Sequence, residues 1–167
     1  MLYHPRRQWT LASFVPRRSS QHARAAGIRF VAQECPALST LFLAGPAGSG
    51  NTHLLHALAQ HARGNGVIDS IACLSATQWA QEVAAGLHFA DMGCVLQHFA
   101  CQDLLALDDA DRLWGIPQAQ QAFAELLLER QEQGLRTLLT ATLYPASPHN
   151  PQPLCDLLAQ QPAVRLH

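Results

Sequence analysis

Short apolar runs alternate with segments of helical period along most of the chain. Thr40-Leu41-Phe42-Leu43-Ala44 is a strand-length apolar run that enters Gly45-Pro46-Ala47-Gly48-Ser49-Gly50, the pattern of a buried strand meeting a glycine-rich turn. A helix over 52–63 follows, closed by Gly64-Asn65-Gly66. Residues 68–74 predict a second strand, 76–86 a helix capped by Ser75, 89–99 a further helix and 104–107 a third strand. The longest helix covers 118–133, with Phe123, Leu126, Leu127 and Arg130 near one face and Gly134 as its stop. A fourth strand over 135–142 and a fifth over 163–166 complete the series. Ahead of the first strand, Ser19 or Ser20 can cap a helix that runs to about 34, where Cys35-Pro36 ends it. Residues 145–153 hold four prolines and predict a loop.

Strands alternating with helices imply a parallel sheet covered on both faces. The expectation is a three-layer α/β fold of about five parallel strands, with strand one central. A length of 167 residues with 49% hydrophobic and 14% charged content suits one well-buried domain. Residues 1–18 read as a basic lead-in segment and 19–167 as the α/β domain.

The formal net charge of -1 argues against a general binder of nucleic acid or membrane. Six of the eleven basic residues, Arg6, Arg7, Arg17, Arg18, Arg24 and Arg29, nevertheless fall in the first thirty positions. They form either a solvated segment or a local patch for DNA or an acidic protein surface. The odd number of widely spaced cysteines implies reduced thiols and a cytoplasmic setting. No apolar stretch of about 18 residues is present, so no membrane partner is expected. All eleven basic residues are arginine, and the chain has no lysine.

That absence bears on the glycine-rich turn. Gly45, Gly48, Ser49, Gly50, Asn51 and Thr52 fit the phosphate-binding loop G-x-x-x-x-G-K-[ST] at every fixed position except the lysine, which is Asn51. A strand before and a helix after let backbone N–H groups wrap a phosphate at a helix N-terminus. Leu104-Leu105-Ala106-Leu107-Asp108-Asp109 has the form of the second nucleotide motif, an apolar strand ending in acids that hold Mg²⁺. The site expected is ADP or ATP with Mg²⁺, bound weakly or not at all. The loop residues and His53 would hold the nucleotide, and Thr52 and Asp108 the metal. Asp108 and Asp109 are the candidate catalytic acids. Asn51 brings no positive charge to the phosphates, and by analogy with removal of one transition-state donor the rate loss is on the order of 10²–10³.

These residues resemble the DnaA/Hda-type AAA+ family. Trp9-Thr10-Leu11-Ala12-Ser13-Phe14-Val15 is similar to its aromatic opening, and Gly48-Ser49-Gly50-Asn51-Thr52-His53-Leu54-Leu55-His56-Ala57 to its loop-and-helix string. Leu104 to Asp109 falls where its acidic motif lies, and Leu138-Leu139-Thr140-Ala141-Thr142-Leu143-Tyr144-Pro145 resembles its sensor strand. The resemblance implies an AAA+ base and, in its Hda-like form, control of replication initiation by contact with DnaA or another AAA+ replication protein. It also makes the sliding clamp a candidate partner through Gln8-Trp9-Thr10-Leu11, with DNA contacted weakly or indirectly. The departures bear on hydrolysis. Thr142 stands where the sensor acid is expected, 157–160 lack the finger arginine, and neither a helical lid nor a DNA-binding domain is expected. A slow partner-activated ATPase and a helicase-loader-like or DNA-tethering module are the alternatives.

Other constellations are read as packing. His53 and His56 support the loop and its helix, Cys94, His98 and Cys101 form a helical stripe rather than a zinc site, and Trp79 and Trp114 serve as core or edge aromatics.

Overall fold

Each of the five apolar runs forms a strand: β1 (Thr40–Ala44), β2 (Ile71–Ser75), β3 (Leu104–Asp108), β4 (Arg136–Ala141) and β5 (Ala163–Arg165). The structure is a computed structural model that describes residues 3–16, 20–66, 68–142 and 153–166. All pairings are parallel, in the order β2-β3-β4-β1-β5. The three-layer α/β expectation therefore holds, with one correction. β1 is an interior strand, but β4 takes the middle place because it inserts between β1 and β3. Neighbouring strands lie about 4.8 Å apart, so the glycine-rich loop after β1 and the acids ending β3 face each other across a gap one strand wide.

Alternation along the strands divides the core in two. Leu41, Leu43, Cys73, Leu104, Ala106 and Leu138 face α1 (Gln21–Val31) and α2 (Asn51–Gly64). Phe42, Leu74, Leu105, Leu107 and Leu139 face the other layer. That layer comprises α3 (Ala76–His88), α4 (Met92–Ala100), α5 (Pro117–Glu132) and α6 (Pro153–Ala159). Among the described residues no helix is long and apolar enough to cross a membrane. Cys35, Cys73, Cys94 and Cys101 are free thiols.

Local chemistry moved several element boundaries. β2 starts at Ile71 rather than 68 because the Asp103 carboxylate accepts from the backbone N–H groups of Asp69 and Ser70, at 3.1 and 2.8 Å. These residues thus spend their donors on a side chain rather than on a strand. α4 starts at Met92 rather than 89, since Ala90 adopts φ 55°. α3 starts as expected, with Ser75 and Gln78 forming a reciprocal capping box. α1 ends at Val31, short of 34, and Gln33 turns the chain at φ 60°. Arg17, Arg18, Ser19 and most of the proline-rich stretch lie outside the described residues.

The face of α5 read from Phe123, Leu126, Leu127 and Arg130 is the buried one, the arginine included at 0% exposure. Arg130 donates to Phe99 O at 2.8 Å, Ala100 O at 3.2 Å, Gln102 O at 2.7 Å, Arg136 O at 2.6 Å and Thr137 Oγ1 at 3.0 Å. It thereby ties the end of α4 to the start of β4. Burial lowers its pKa to about 10, so it stays charged at neutral pH. Arg130→Met would strand four carbonyls and a hydroxyl, each worth about 1–3 kcal/mol if left unpaired in the interior. Urea unfolding should show a loss of at least about 3 kcal/mol. A loss within about 0.5 kcal/mol of the change at an exposed site would contradict this clamp role.

Candidate phosphate-binding site

In a parallel sheet the carboxyl ends of the strands gather at one edge, and the loops there form the natural crevice for a ligand. That edge carries the glycine-rich loop, the paired acids and the last residues of β4. Gly45 leaves β1 where a Cβ would stand 2.5 Å from the Leu166 carbonyl oxygen, so only glycine fits. Gly50, at φ 94°, is the N-cap of α2, a left-handed position that glycine adopts without cost. The first helical bond runs from the Leu54 N–H to Gly50 O at 2.8 Å. The N–H groups of the turn before it lack acceptors within the helix, which makes this end suited to an anion.

Asn51 is fully engaged within the protein. Its amide nitrogen donates to Gly45 O at 2.8 Å and to Ala141 O at 3.1 Å, and its Oδ1 accepts from the Ser49 hydroxyl at 3.0 Å. An amide has two donor hydrogens, and both go to carbonyls, one within the loop and one at the end of β4. Gly45 adds a backbone bond to the same Ala141 carbonyl at 3.1 Å.

The acids hang from β4 in the same way. The buried Thr140 hydroxyl donates to Asp108 Oδ1 at 2.5 Å and accepts from the Asp109 N–H at 3.1 Å. Asp109 sits at φ 56°. Desolvation raises its pKa, the neighbouring Asp108 adds to the rise, and Arg112 opposes it. The Arg112 guanidinium reaches Asp109 at 3.1 Å, both side chains being partly exposed. Thr142, in place of the expected acid, donates its N–H and its hydroxyl to Asp111.

A cavity of about 450 Å³ opens over the loop, walled by Gly48, Gly50, Asn51, Thr52, Asp109 and Arg112, with Trp9 and Thr142 at its margin. Gly48 leaves it open, with nothing within 4 Å of where a Cβ would be. Asp108 borders a separate cavity of about 210 Å³ beside His4, Arg6, His56 and Gln78. Gly48, Gly50, Asn51, Thr52, His53 and Asp109 therefore meet at one cavity, which Gly45 and Ser49 do not line, while Asp108 is turned toward Thr140. Reading the sequence did not single out Thr140, Asp111 or Arg112 for this site. The spacing of Arg112 three residues after Asp109 was the available signal for the last of these.

His53 and His56 hold the N-terminal segment on α2. His53 Nε2 lies 3.2 Å from Thr10 O and 3.1 Å from Ser13 Oγ, and its ring stacks on Trp9 at 5.9 Å. His56 Nδ1 accepts from the Arg6 N–H at 3.2 Å and meets Trp9 edge-on at 5.0 Å. Tyr3 extends this docking to β2, accepting at its carbonyl from the Cys73 N–H at 2.8 Å and donating its hydroxyl to Glu82. Arg6 covers the Trp9 ring at 4.6 Å, and Arg29 pairs with Glu34 at 3.2 Å. Trp79 is a core residue at 0% exposure, its indole N–H donating to Ala119 O at 2.8 Å. Cys94, His98 and Cys101, expected as a buried stripe, are exposed instead, because α4 turns its Phe99 and Ala100 to the core, and among the described residues no group of three or more His, Cys, Asp or Glu is placed to hold a metal ion.

The sequence model of the bacterial DnaA ATPase domain matches residues 6–152. The chromosomal replication initiator protein DnaA of Anaplasma marginale is 28% identical over 141 residues, which cover 83% of this chain and 30% of that protein. The chain thus spans under a third of that relative. Among solved structures, a replication initiator DnaA bound to AMPPCP and single-stranded DNA superposes with a TM-score of 0.87 at 21% identity, over 98% of this chain and 51% of that one. The DnaC helicase loader superposes at 0.74 and 14% identity, over 96% of this chain and 98% of that one.

The docking of the N-terminal segment depends on pH. Burial lowers the His56 pKa from 6.5 to about 4, with the charges of Arg6 and His53 adding to the effect. Below 6.5 the unfolded chain takes up a proton that the folded chain refuses, so stability falls as pH drops from about 6.5 toward 4 and is unaffected by this group above that window. Urea midpoints measured across the window should fall less steeply for His56→Gln than for the wild type. Parallel curves would remove His56 as the cause.

Proposed function

The chain belongs to the bacterial DnaA ATPase-domain family, and on that premise we propose that it is a nucleotide-responsive regulator of replication initiation that docks on an AAA+ partner and hydrolyses ATP slowly or not at all. The observation that carries this reading is the use made of Asn51, whose amide braces the loop against Gly45 and Ala141 and leaves no donor for a phosphate. The loop keeps the shape of a nucleotide site, but at position 51 it lacks the charge that speeds phosphoryl transfer.

The residues fit an adenine nucleotide. Gly45, Gly48, Ser49 and Gly50 shape a loop open to the phosphates, the first turn of α2 from Thr52 and His53 offers N–H donors, and Trp9 supplies an aromatic margin to the same cavity. Thr52 and Asp109, at the loop cavity, would be the groups to hold Mg²⁺, which would supply charge neutralisation on the phosphates, whereas Asp108, the ligand expected from the sequence, borders the neighbouring cavity. In this reading the bound state is a signal, passed to a partner through loops that share the β4 edge.

DnaA or another AAA+ replication protein in the cytoplasm is the partner that the family resemblance favours, in the manner of Hda. Trp9 and Thr10 of the candidate clamp peptide are engaged on α2, so the proposal puts the partner surface on the AAA+ base rather than on that peptide. A helicase-loader-like role is the second reading, favoured by the likeness of fold to DnaC over nearly the whole of that chain. Stimulation of DnaA ATP hydrolysis by this chain supports the first, and binding to a replicative helicase the second.

Calorimetric titration with ATP and Mg²⁺, paired with turnover assays, tests the degenerate site. Asn51→Lys should bind ATP at least about tenfold more tightly than the wild type, since a charge-assisted bond to phosphate is worth about 1.5–3 kcal/mol. It should also raise any measurable hydrolysis. A wild type that turns ATP over as fast as Asn51→Lys would contradict the proposal.

A further inference from the structure

We infer that Arg112 supplies the positive charge of this phosphate site in cis, in place of the lysine that the loop lacks. The inference rests on the nucleotide reading above and extends it to a residue outside both motifs. Position 51 is neutral and the chain contains no lysine, so any permanent side-chain cation that this chain itself brings to the site must be an arginine. Among the described residues that wall the loop cavity, Arg112 is the only arginine.

Its position follows from the fold. β3 ends at the same sheet edge as β1, and the 3-10 turn Ala110–Leu113 starts immediately after the acids. Asp109 begins that turn in a left-handed conformation, fixed by the bond from its N–H to Thr140 Oγ1 at 3.1 Å. The Arg112 N–H then bonds to Asp109 O at 2.9 Å. This i, i+3 turn lays the guanidinium beside the Asp109 carboxylate at 3.1 Å and along the same cavity as Gly48, Gly50 and Thr52. The turn directly follows the strand that carries Asp108, so charge and acids lie side by side along one stretch of chain.

The pairing explains how the charge is kept without a ligand. Asp109 neutralises Arg112 at the cavity wall, and the pair is solvent-accessible, with side-chain exposures of 36% and 66%. An exposed pair is worth little and yields to a stronger anion. A guanidinium presents a planar fork of donors that matches phosphate oxygens two at a time, whereas a lysine acts as a point charge. Asp109, once relieved of Arg112, is free to face a cation. Arg112 thus stands where it can exchange a carboxylate for a phosphate without rearrangement of the loop, which Asn51 already braces.

The test uses the full chain, titrated calorimetrically with ATP and with ADP, each with and without Mg²⁺, as wild type, Arg112→Gln, Arg112→Lys and Asp109→Asn. Arg112→Gln should weaken ATP binding at least about tenfold, and Arg112→Lys should recover part of the loss. Without Mg²⁺, Asp109→Asn should bind ATP more tightly than the wild type, because the guanidinium no longer has a competing partner. In the wild type, the Arg112 Nε–H resonance should shift on addition of ATP, a readout that needs no variant to fold. ATP binding by Arg112→Gln within twofold of a wild type that binds, with no shift at Arg112, overturns the inference and leaves the nucleotide reading standing. Failure of the wild type to bind either nucleotide overturns both.

Discussion

Three consecutive residues, the last two of β4 and Thr142 just after it, hold the glycine-rich loop and the acids that end β3 in place. Thr140 donates to Asp108 and accepts from the Asp109 N–H, the Ala141 carbonyl receives Asn51 and Gly45, and Thr142 donates to Asp111. This is possible only because β4 lies between β1 and β3 in a parallel sheet, which puts its carboxyl end between the loop and the acids. Each neutral bond contributes about 0.5–1.5 kcal/mol net, enough in combination to order a short loop. None of them neutralises a phosphate. The architecture of the site and its charge are therefore separable, and position 51 serves the first alone.

Much of this fold was legible along the chain, since five apolar runs of strand length, each bounded by glycine, proline or acid, left few other arrangements. The strand order was less so. Which strand takes the middle of the sheet depends on how crossovers pack, and no local pattern encodes it. Boundaries slipped where side chains competed for backbone donors, as Asp103 does for Asp69 and Ser70, or where a residue other than glycine took a left-handed turn, as Ala90 does. The glycine pattern of the loop was legible because glycine is required there on steric grounds at Gly45 and conformational grounds at Gly50. The direction of the Asn51 amide was not, because it is decided by a carbonyl ninety positions away.

The arginines illustrate the same limit. Read as a line, six of them near the start allowed either a solvated segment or a local patch. In the fold, Arg6 lies over Trp9 and Arg29 beside Glu34, while Arg17 and Arg18 fall outside the described residues. Arg130, read only as part of a helix face, is the buried clamp between α4 and β4. Arg112 drew no attention in the sequence and lies against the loop cavity. A charge has a meaning here only once the sheet has chosen its neighbours. The two histidines after the loop are similar, since they anchor the segment that covers α2 and present no catalytic geometry of their own.

An amide brace to β4 holds the glycine-rich loop in shape in the ligand-free protein. The most direct measurement is NMR of the Asn51 side-chain amide in the ligand-free protein. Two separately resolved, slowly exchanging amide protons are expected, with through-hydrogen-bond couplings to the carbonyl carbons of Gly45 and Ala141. A rapidly exchanging amide with no such couplings would mean that the loop is unbraced, and would contradict this role of Asn51.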